Sequence, residues 1–423
     1  MNLNFSTEIG FAKGLDRIDP LAEYRNKFLI PKHNQNKSLY FTGNSLGLQP
    51  KITAQYISEV LGDWAKYGVE GHLMAQKPWL PYHEFVAKDL ANVVGALESE
   101  VVAMGSLTAN LHFLMVSFYR PEGKKRKIVI EKSAFPSDIY AVKSQIKYHG
   151  GNPETDLIIL QPDKSDAIIS EASIIKLLNE QKDEIALVLI GGVNYYSGQA
   201  FDMQMIALEC RKLDIVCGFD LAHAAGNLKL ELHEWAPDFA AWCSYKYLNA
   251  GPGAIAGIFI HQRHHGKDLP RFEGWWGHNK ETRFLMGPDF EPINSAEAWQ
   301  HSNPPIFQLA ALRASLSLFA GAGGMTNLRK KSIELTSYLE FMLENIGSKA
   351  IEIITPKEVS KRGCQLSIRV KKANKSVYNA ITKEGVIADW REPDVIRVAP
   401  VPLYNSFEDV YQFTQILAKA LKK

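Results

Sequence analysis

The chain has 423 residues, 46% of them hydrophobic, and its 48 Lys and Arg against 46 Asp and Glu leave a formal net charge of +2. That length is enough for two or three domains with sizeable cores, and the near balance of charge excludes a protein drawn onto nucleic acid or a membrane by its overall field. Four cysteines, Cys210, Cys217, Cys243 and Cys364, form no CxxC pair; they read as buried thiols of a reducing compartment and not as a disulfide framework.

In chain order, the N-terminus carries charges and no apolar stretch of the kind a secretory signal needs. No later apolar run approaches the ~20 residues of a membrane-spanning helix. A soluble, cytoplasmic protein without membrane or nucleic-acid partners is predicted. Residues 1–70 are expected to pack on the C-terminal unit or across a second subunit. Leu107, Leu111, Leu114, Met115 and Phe118 recur at helical spacing and predict a helix from about Ser106. The basic run Lys124, Lys125, Arg126 and Lys127 reads as a solvated loop. Strand-like runs then appear at 127–131, 157–160, 185–190, 215–219, 239–244 and 255–260. Several are continuously apolar, as strands covered on both faces are. Helical patterns separate many of them, one starting at Asp202 as N-cap. This alternation predicts an α/β unit with a mostly parallel sheet over 71–305. From 306 to 423 the pattern changes to two long helices (306–320 and 330–345), strands at 365–370 and 396–398, and a final helix over 407–421. That is a smaller α+β unit.

Two apolar strands of the large unit end in ionisable groups. One delivers Asp220 and the next delivers Ser244, Tyr245 and Lys246 before a Gly/Pro turn. Ligands of open α/β sheets bind at the carboxyl ends of strands. Singly, an Asp after a strand or a Lys near a turn is ordinary. The ordered pair matches what pyridoxal phosphate needs, an amine for its aldehyde and an acid that keeps its ring nitrogen protonated. His223 stands three residues after Asp220, placed to hold the aspartate or the cofactor. The helix start at Ser106, Leu107 and Thr108 offers free N–H groups to a phosphate, although a plain capped helix reads the same way. The loop Phe135, Pro136, Ser137 and Asp138 would be a simple turn if it stood alone; beside a cofactor, Phe135 can stack on the ring.

The whole chain resembles the kynureninases, within the fold-type-I pyridoxal-phosphate enzymes. The resemblance is carried by YFTGNSLGLQP (40–50), GVEGH (68–72), SLTANLH (106–112), AFPSD (134–138), GFDLAHAAGN (218–227), WCSYKYLNAGPG (242–253), GWWGH (274–278), SNPPI (302–306), RGCQLS (362–367) and IRVAPVPLYNS (396–406). So many long strings in one order are specific where one would not be. The resemblance implies a mostly parallel, seven-stranded-type sheet with a smaller C-terminal α+β domain. It also implies hydrolysis of the Cβ–Cγ bond of kynurenine or 3-hydroxykynurenine to alanine and an anthranilate, a step of tryptophan catabolism and pyridine nucleotide biosynthesis.

Residue by residue, it implies Lys246 as the Schiff-base lysine, Asp220 as the partner of the ring nitrogen and Tyr245 as phosphate ligand and proton relay. Leu107, Thr108, Phe135, Pro136, Ser137, Asp138 and His223 would contact the cofactor. Trp275 and Asn303 would reach it from the second subunit of a homodimer with shared sites. Arg397 would bind the substrate carboxylate through a two-point fork, the other reading being a surface ion pair. His72, Ser45 and Asn303 would surround the aryl ring and favour the 3-hydroxylated substrate, since a donor to that hydroxyl rewards it. Trp276 would pack beside the ring or belong to the core. The departure from the pattern is Gly191, where many relatives carry Ser or Thr, so only its backbone can serve.

Three other readings compete with this one. A desulfurase or aminotransferase on the same scaffold is disfavoured by Tyr245, which stands before Lys246 where desulfurases usually carry His, and by the lack of a cysteine in a likely active-site loop. A catalytically silent cofactor-binding protein is disfavoured by the intact Lys246, Asp220 and Tyr245. A metal site at His261, His264 and His265 lacks a completing carboxylate or cysteine, and no metal is expected.

Overall fold

The computed structural model describes residues 5–163 and 167–422. Positions 1–4 of the N-terminal segment and the last residue of the C-terminal unit lie outside the described residues. The apolar runs form the central sheet. In chain order its strands are β1 Val101–Ala103, β2 Lys127–Glu131, β3 Leu157–Leu160, β4 Ile185–Gly191, β5 Val216–Asp220, β6 Phe239–Trp242 and β7 Gly257–Ile260. They lie in the order β1-β7-β6-β5-β4-β2-β3. Neighbours from β6 through β3 are parallel, and β7 alone runs against both of its neighbours. This is the mostly parallel, seven-stranded α/β sheet that the resemblance implies.

Successive side chains point to opposite faces of a strand. Val129, Val188, Phe219 and Trp242 thus belong to one apolar core, and Ile130, Leu189, Ala241 and Ile258 to another. The helices that matter to the packing include α1 Ile9–Ile18, α2 Thr53–Tyr67, α3 Glu84–Val94, α4 Leu107–Phe118, α5 Pro136–Tyr148, α6 Met203–Lys212, α7 Ile306–Gly321, α8 Gly324–Asn345 and α9 Phe407–Ala420. The first face is covered by α3, α6 and α7, the second by α4 and α5. Asp202 caps α6 by accepting from Met205 N–H at 2.9 Å, which satisfies a donor the helix cannot.

A second, antiparallel sheet follows, with strands β8 Ile351–Ile353, β9 Leu366–Val370, β10 Asp389–Arg391 and β11 Val395–Val398 in the order β8-β9-β11-β10. It shares its core with α1, α8 and α9. The N-terminal segment divides between the two units: Ala12 and Leu15 of α1 enter the small core, while Val60 of α2 enters the large one. Helix α7 was expected to open the small unit at 306. Its Leu309, Leu312 and Leu316 instead join the large core, and the small core begins inside α8 at Leu335. Buried residues occur on nearly every side of α7. Such a helix needs cover all round, which it finds between α2 and α3 on the large unit.

Among the described residues no single helix is long and apolar enough to cross a membrane; α7 and α8 meet at a 74° bend. All four cysteines are buried and unpaired.

Candidate active site

A cavity of about 250 Å³ lies at the carboxyl ends of β2, β4 and β5 and the segment after β6. Its walls include Leu107, Thr108, Phe135, Ser137, Asp138, Gly191, Asp220, His223, Tyr245 and Lys246. Parallel pairing makes this convergence: Asp220 stands in register with Gly191 on one side and Ala241 on the other. Its Oδ1 accepts from Ala222 N–H at 2.8 Å, which fixes the carboxylate at the strand end. Lys246 Nζ lies 3.0 Å from His223 Nε2 and 5.8 Å from the centre of the Phe135 ring.

The turn bearing the lysine is held from outside by the N-terminal loop. Gly47 N–H donates to Tyr245 C=O at 2.8 Å. A Cβ at Gly47 would come within 2.3 Å of Lys246 C=O and of Asn249 Oδ1, so the string over 40–50 needs glycine there.

The cavity is rich in acids and poor in water-like surroundings. Burial pushes the Glu131 carboxyl up to about 7. Burial, and then the neighbouring Asp220, hold Asp138 well above the usual carboxylate range. His223 is driven well below its ordinary value by burial and by the cations Lys246, Arg397 and Arg391, so its imidazole is neutral. Burial also raises the Tyr245 hydroxyl, with Cys243 adding to it; at neutral pH this phenol keeps its proton.

Two helices begin at the cavity. Ser106 is the N-cap of α4 and Phe135 that of α5, and neither start is closed by a side-chain hydrogen bond. Thr108 and Ser137 join the two starts by a 2.7 Å hydroxyl contact. Free N–H groups, two helix dipoles and two hydroxyls form a cradle for a phosphate.

The remaining candidates lie elsewhere. Pro136 occupies the first position of α5. Ser45 lines an adjacent cleft with Tyr40, Thr42, Asp389 and Arg391. Arg397 is fully buried one residue behind the cavity wall, and its Nη1 donates to Tyr195 C=O at 2.9 Å. His72 is partly exposed against Trp79, with Nδ1 2.9 Å from Val69 C=O. Asn303 is exposed and Trp275 is 41% exposed, its indole donating to Arg283 C=O at 3.2 Å. Trp276 is fully buried in its own chain, with the Arg283 guanidinium 4.5 Å over its ring. Its indole N–H is buried with no partner among the described residues.

Glu131, Val193, Tyr195 and Ala222 also line the cavity and escaped the sequence reading. Glu131 carried the same signal as Asp220, an acid closing an apolar strand. Tyr195 carried none, because its place against Phe135 (5.4 Å between ring centres) depends on the loop after β4.

The three histidines after β7 do not converge. His264 Nε2 lies 2.7 Å from Asp238 Oδ1, His265 Nε2 3.1 Å from Ile260 C=O, and His261 Nδ1 accepts from Arg263 N–H at 3.1 Å. His261 also approaches Glu100 and His233. Glu100 is already spent on Leu97 N–H, Gln262 N–H and His233, which suits a structural acid.

Comparison with known proteins bears on the whole chain. The kynureninase C-terminal domain family matches residues 328–417. The kynureninase of Flavobacterium johnsoniae is 51% identical, with 99% of each chain covered. Those of Koribacter versatilis and Myxococcus xanthus are each 52% identical, covering 97% and 98% of this chain and 97% of each relative. The chain belongs to the kynureninase family. The kynureninase fold extends to more distant proteins: the cysteine desulfurase CsdA of Escherichia coli superposes with a TM-score of 0.76 at 14% identity, covering 95% of this chain and 98% of that one. A desulfurase from Thermococcus onnurineus NA1 gives 0.75 at 16% identity, covering 91% and 95%.

The kynureninase cavity fits pyridoxal 5′-phosphate. It joins an amine and an acid at neighbouring strand ends to a phosphate cradle, and Asp138 Oδ1 and His223 Nδ1 are buried with no partner in the protein. Unpaired buried polar atoms at a cavity wall call for a polar ligand.

Proposed function

We propose that this kynureninase hydrolyses the Cβ–Cγ bond of L-kynurenine and L-3-hydroxykynurenine, giving L-alanine and anthranilate or 3-hydroxyanthranilate, with preference for the 3-hydroxylated substrate. The observation that carries the reading is the meeting of Lys246, Asp220 and Tyr245 in one cavity of a chain half identical to kynureninases along its length. When bound, pyridoxal phosphate supplies an electron sink for charge leaving the amino acid.

The protein's own residues do the rest. Leu107, Thr108 and Ser137 would hold the phosphate at the two helix starts, and Phe135 would cover the ring. Asp220 would partner the ring nitrogen, and Glu131 and Asp138 share the cavity wall with it. Lys246 takes the proton from the α-carbon of the substrate. Tyr245, protonated at neutral pH, delivers a proton to the β-carbon once the bond to the γ-carbon has parted. The balance consumes one water, added at the γ-carbonyl carbon. Each positioned proton transfer contributes roughly 10²–10⁴-fold.

Substrate contacts involve residues outside the cavity. Arg397 takes the α-carboxylate. His72 and Asn303, with Trp275 beside the cofactor, act from a second copy of the chain in a homodimer. In support, all three have exposed surface, and exposed apolar side chains accompany them: Trp64, Val69, Leu73 and Met74 near His72, and Phe284, Leu285 and Met286 near Trp275. Large exposed apolar patches mark interaction surfaces. Work in the cytoplasm is supported by four buried, unpaired thiols. A desulfurase reading has no nucleophile, since no cysteine lines the cavity among the described residues.

Incubation with both substrates, following alanine and the two anthranilates, tests the reading. Both products are expected, with kcat/KM higher for 3-hydroxykynurenine. A clear advantage for kynurenine would refute the preference, and the absence of either anthranilate would refute the activity.

A further inference from the structure

The guanidinium of Arg397 is held by a neighbour that neither the sequence nor the family resemblance singled out. Asp389 on β10 stands directly opposite Arg397 on β11 in the antiparallel register. Cross-strand partners of this kind bring their side chains together on one face. Arg391 lies two residues further along β10, on the same face. Both guanidiniums meet the same oxygen: Arg397 Nη2 and Arg391 Nη2 both donate to Asp389 Oδ2, the latter at 2.9 Å. The exposure of the three side chains is graded, 1% for Arg397, 12% for Asp389 and 35% for Arg391. A buried cation is therefore tied through one carboxylate to a cation that reaches solvent.

The pair stands beside the site. Arg397 Nη1 is anchored on Tyr195 C=O, and Tyr195 is a wall of the cofactor cavity. Arg397 and Arg391 both act on the charge of His223. Asp389 and Arg391 line the cleft of about 470 Å³ that also holds Ser45. Two cations share one carboxylate here, which leaves an anionic group still to be met, and Arg397 Nε is buried with no partner.

We propose that Asp389 is a positioning residue for substrate recognition, which aims the Arg397 fork at the substrate's α-carboxylate while Arg391 anchors Asp389 from the solvent side. The proposal rests on the reading of Arg397 as the carboxylate-binding residue. Asp389 touches neither cofactor nor reacting atoms; it acts through direction. A guanidinium binds a carboxylate with two hydrogen bonds only when its plane is fixed, and removal of Asp389 leaves Arg397 with Tyr195 C=O as its remaining hydrogen-bond acceptor.

The test is a double-mutant cycle on the cofactor-loaded enzyme. Asp389→Ala, Asp389→Asn and Arg397→Lys are made singly, and Asp389→Ala is also combined with Arg397→Lys. KM and kcat are measured for the amino-acid substrate, and the inhibition constant for the corresponding amine that lacks the α-carboxylate. The visible band of the bound cofactor and the melting temperature report folding. Asp389→Ala should raise KM roughly tenfold to a hundredfold, the range for one charge-assisted hydrogen bond. It should leave kcat and amine inhibition within about twofold, because the amine has no α-carboxylate to lose and Asp389 touches no reacting atom. Asp389→Asn, which keeps the shape and one acceptor oxygen, should show a smaller rise in the same direction and stands in if the alanine variant fails to fold. In the Arg397→Lys background, Asp389→Ala should add little. If Arg397→Lys raises KM while neither Asp389 variant does, or if the amine is weakened as much as the amino acid, the Asp389 proposal is overturned and the Arg397 reading stands. An unchanged KM in Arg397→Lys overturns both.

Discussion

The cavity and the exposed positions of His72, Trp275 and Asn303 are built in opposite ways. The cavity is assembled within one chain: parallel strands end side by side, and their ends bring Glu131, Gly191 and Asp220 to one wall with Lys246 just beyond β6. His72, Trp275 and Asn303 instead keep exposed surface in the single chain. Most groups proposed to hold the cofactor thus come from strand ends and helix starts of one chain, while Trp275 and the groups proposed to read the aryl ring wait on a second surface.

The sharpest way to break that contrast is Lys246→Ala. It should cut turnover by roughly 10⁴-fold or more while leaving the melting curve nearly unchanged, because the residue acts in the cavity and not in the core. Substantial remaining activity would mean that the cavity is not the reaction site.

Next in size is complementation between inactive variants. If the exposed positions serve the partner's cavity, mixing Lys246→Ala with an inactivating Asn303 variant such as Asn303→Asp should form mixed dimers with one intact site, recovering about a quarter of native activity. No recovery after verified subunit exchange would place both residues in one chain's site.

The smallest effect concerns the cavity wall itself. Glu131 has its folded value raised from an ordinary 4.5 to about 7, so the folded chain keeps a proton that the unfolded chain releases. The stability this adds is fully present below pH 4.5 and is lost as pH rises through 7. Glu131→Gln cannot ionise. It should flatten the dependence of melting temperature on pH across that window and melt on the order of 2–4 °C above the native protein on the alkaline side. Parallel pH curves for the two proteins would show that Glu131 does not titrate there.

Much of this molecule was legible in the order of its residues. Continuous apolar runs foretold β2 and β3 to the residue, and the acid and amine closing two of the strands foretold the cofactor wall, because burial on both faces leaves a strand no polar side and puts its chemistry at its end. The family strings hold Leu107, Thr108, Phe135, Asp138, Asp220 and Lys246, which line the cavity, and also Trp275 and Asn303, which do not. Other features needed the folded chain. Helix α7 looked like the start of the small unit, yet its all-round apolar surface sent it to the larger core. Tyr195 and Asp389 gave no local signal, since one is placed by a loop and the other by an antiparallel register with a strand partner eight residues away. Local sequence specifies what a segment can bury and where it must stop; which side chains then face one another is settled by how separate segments pack.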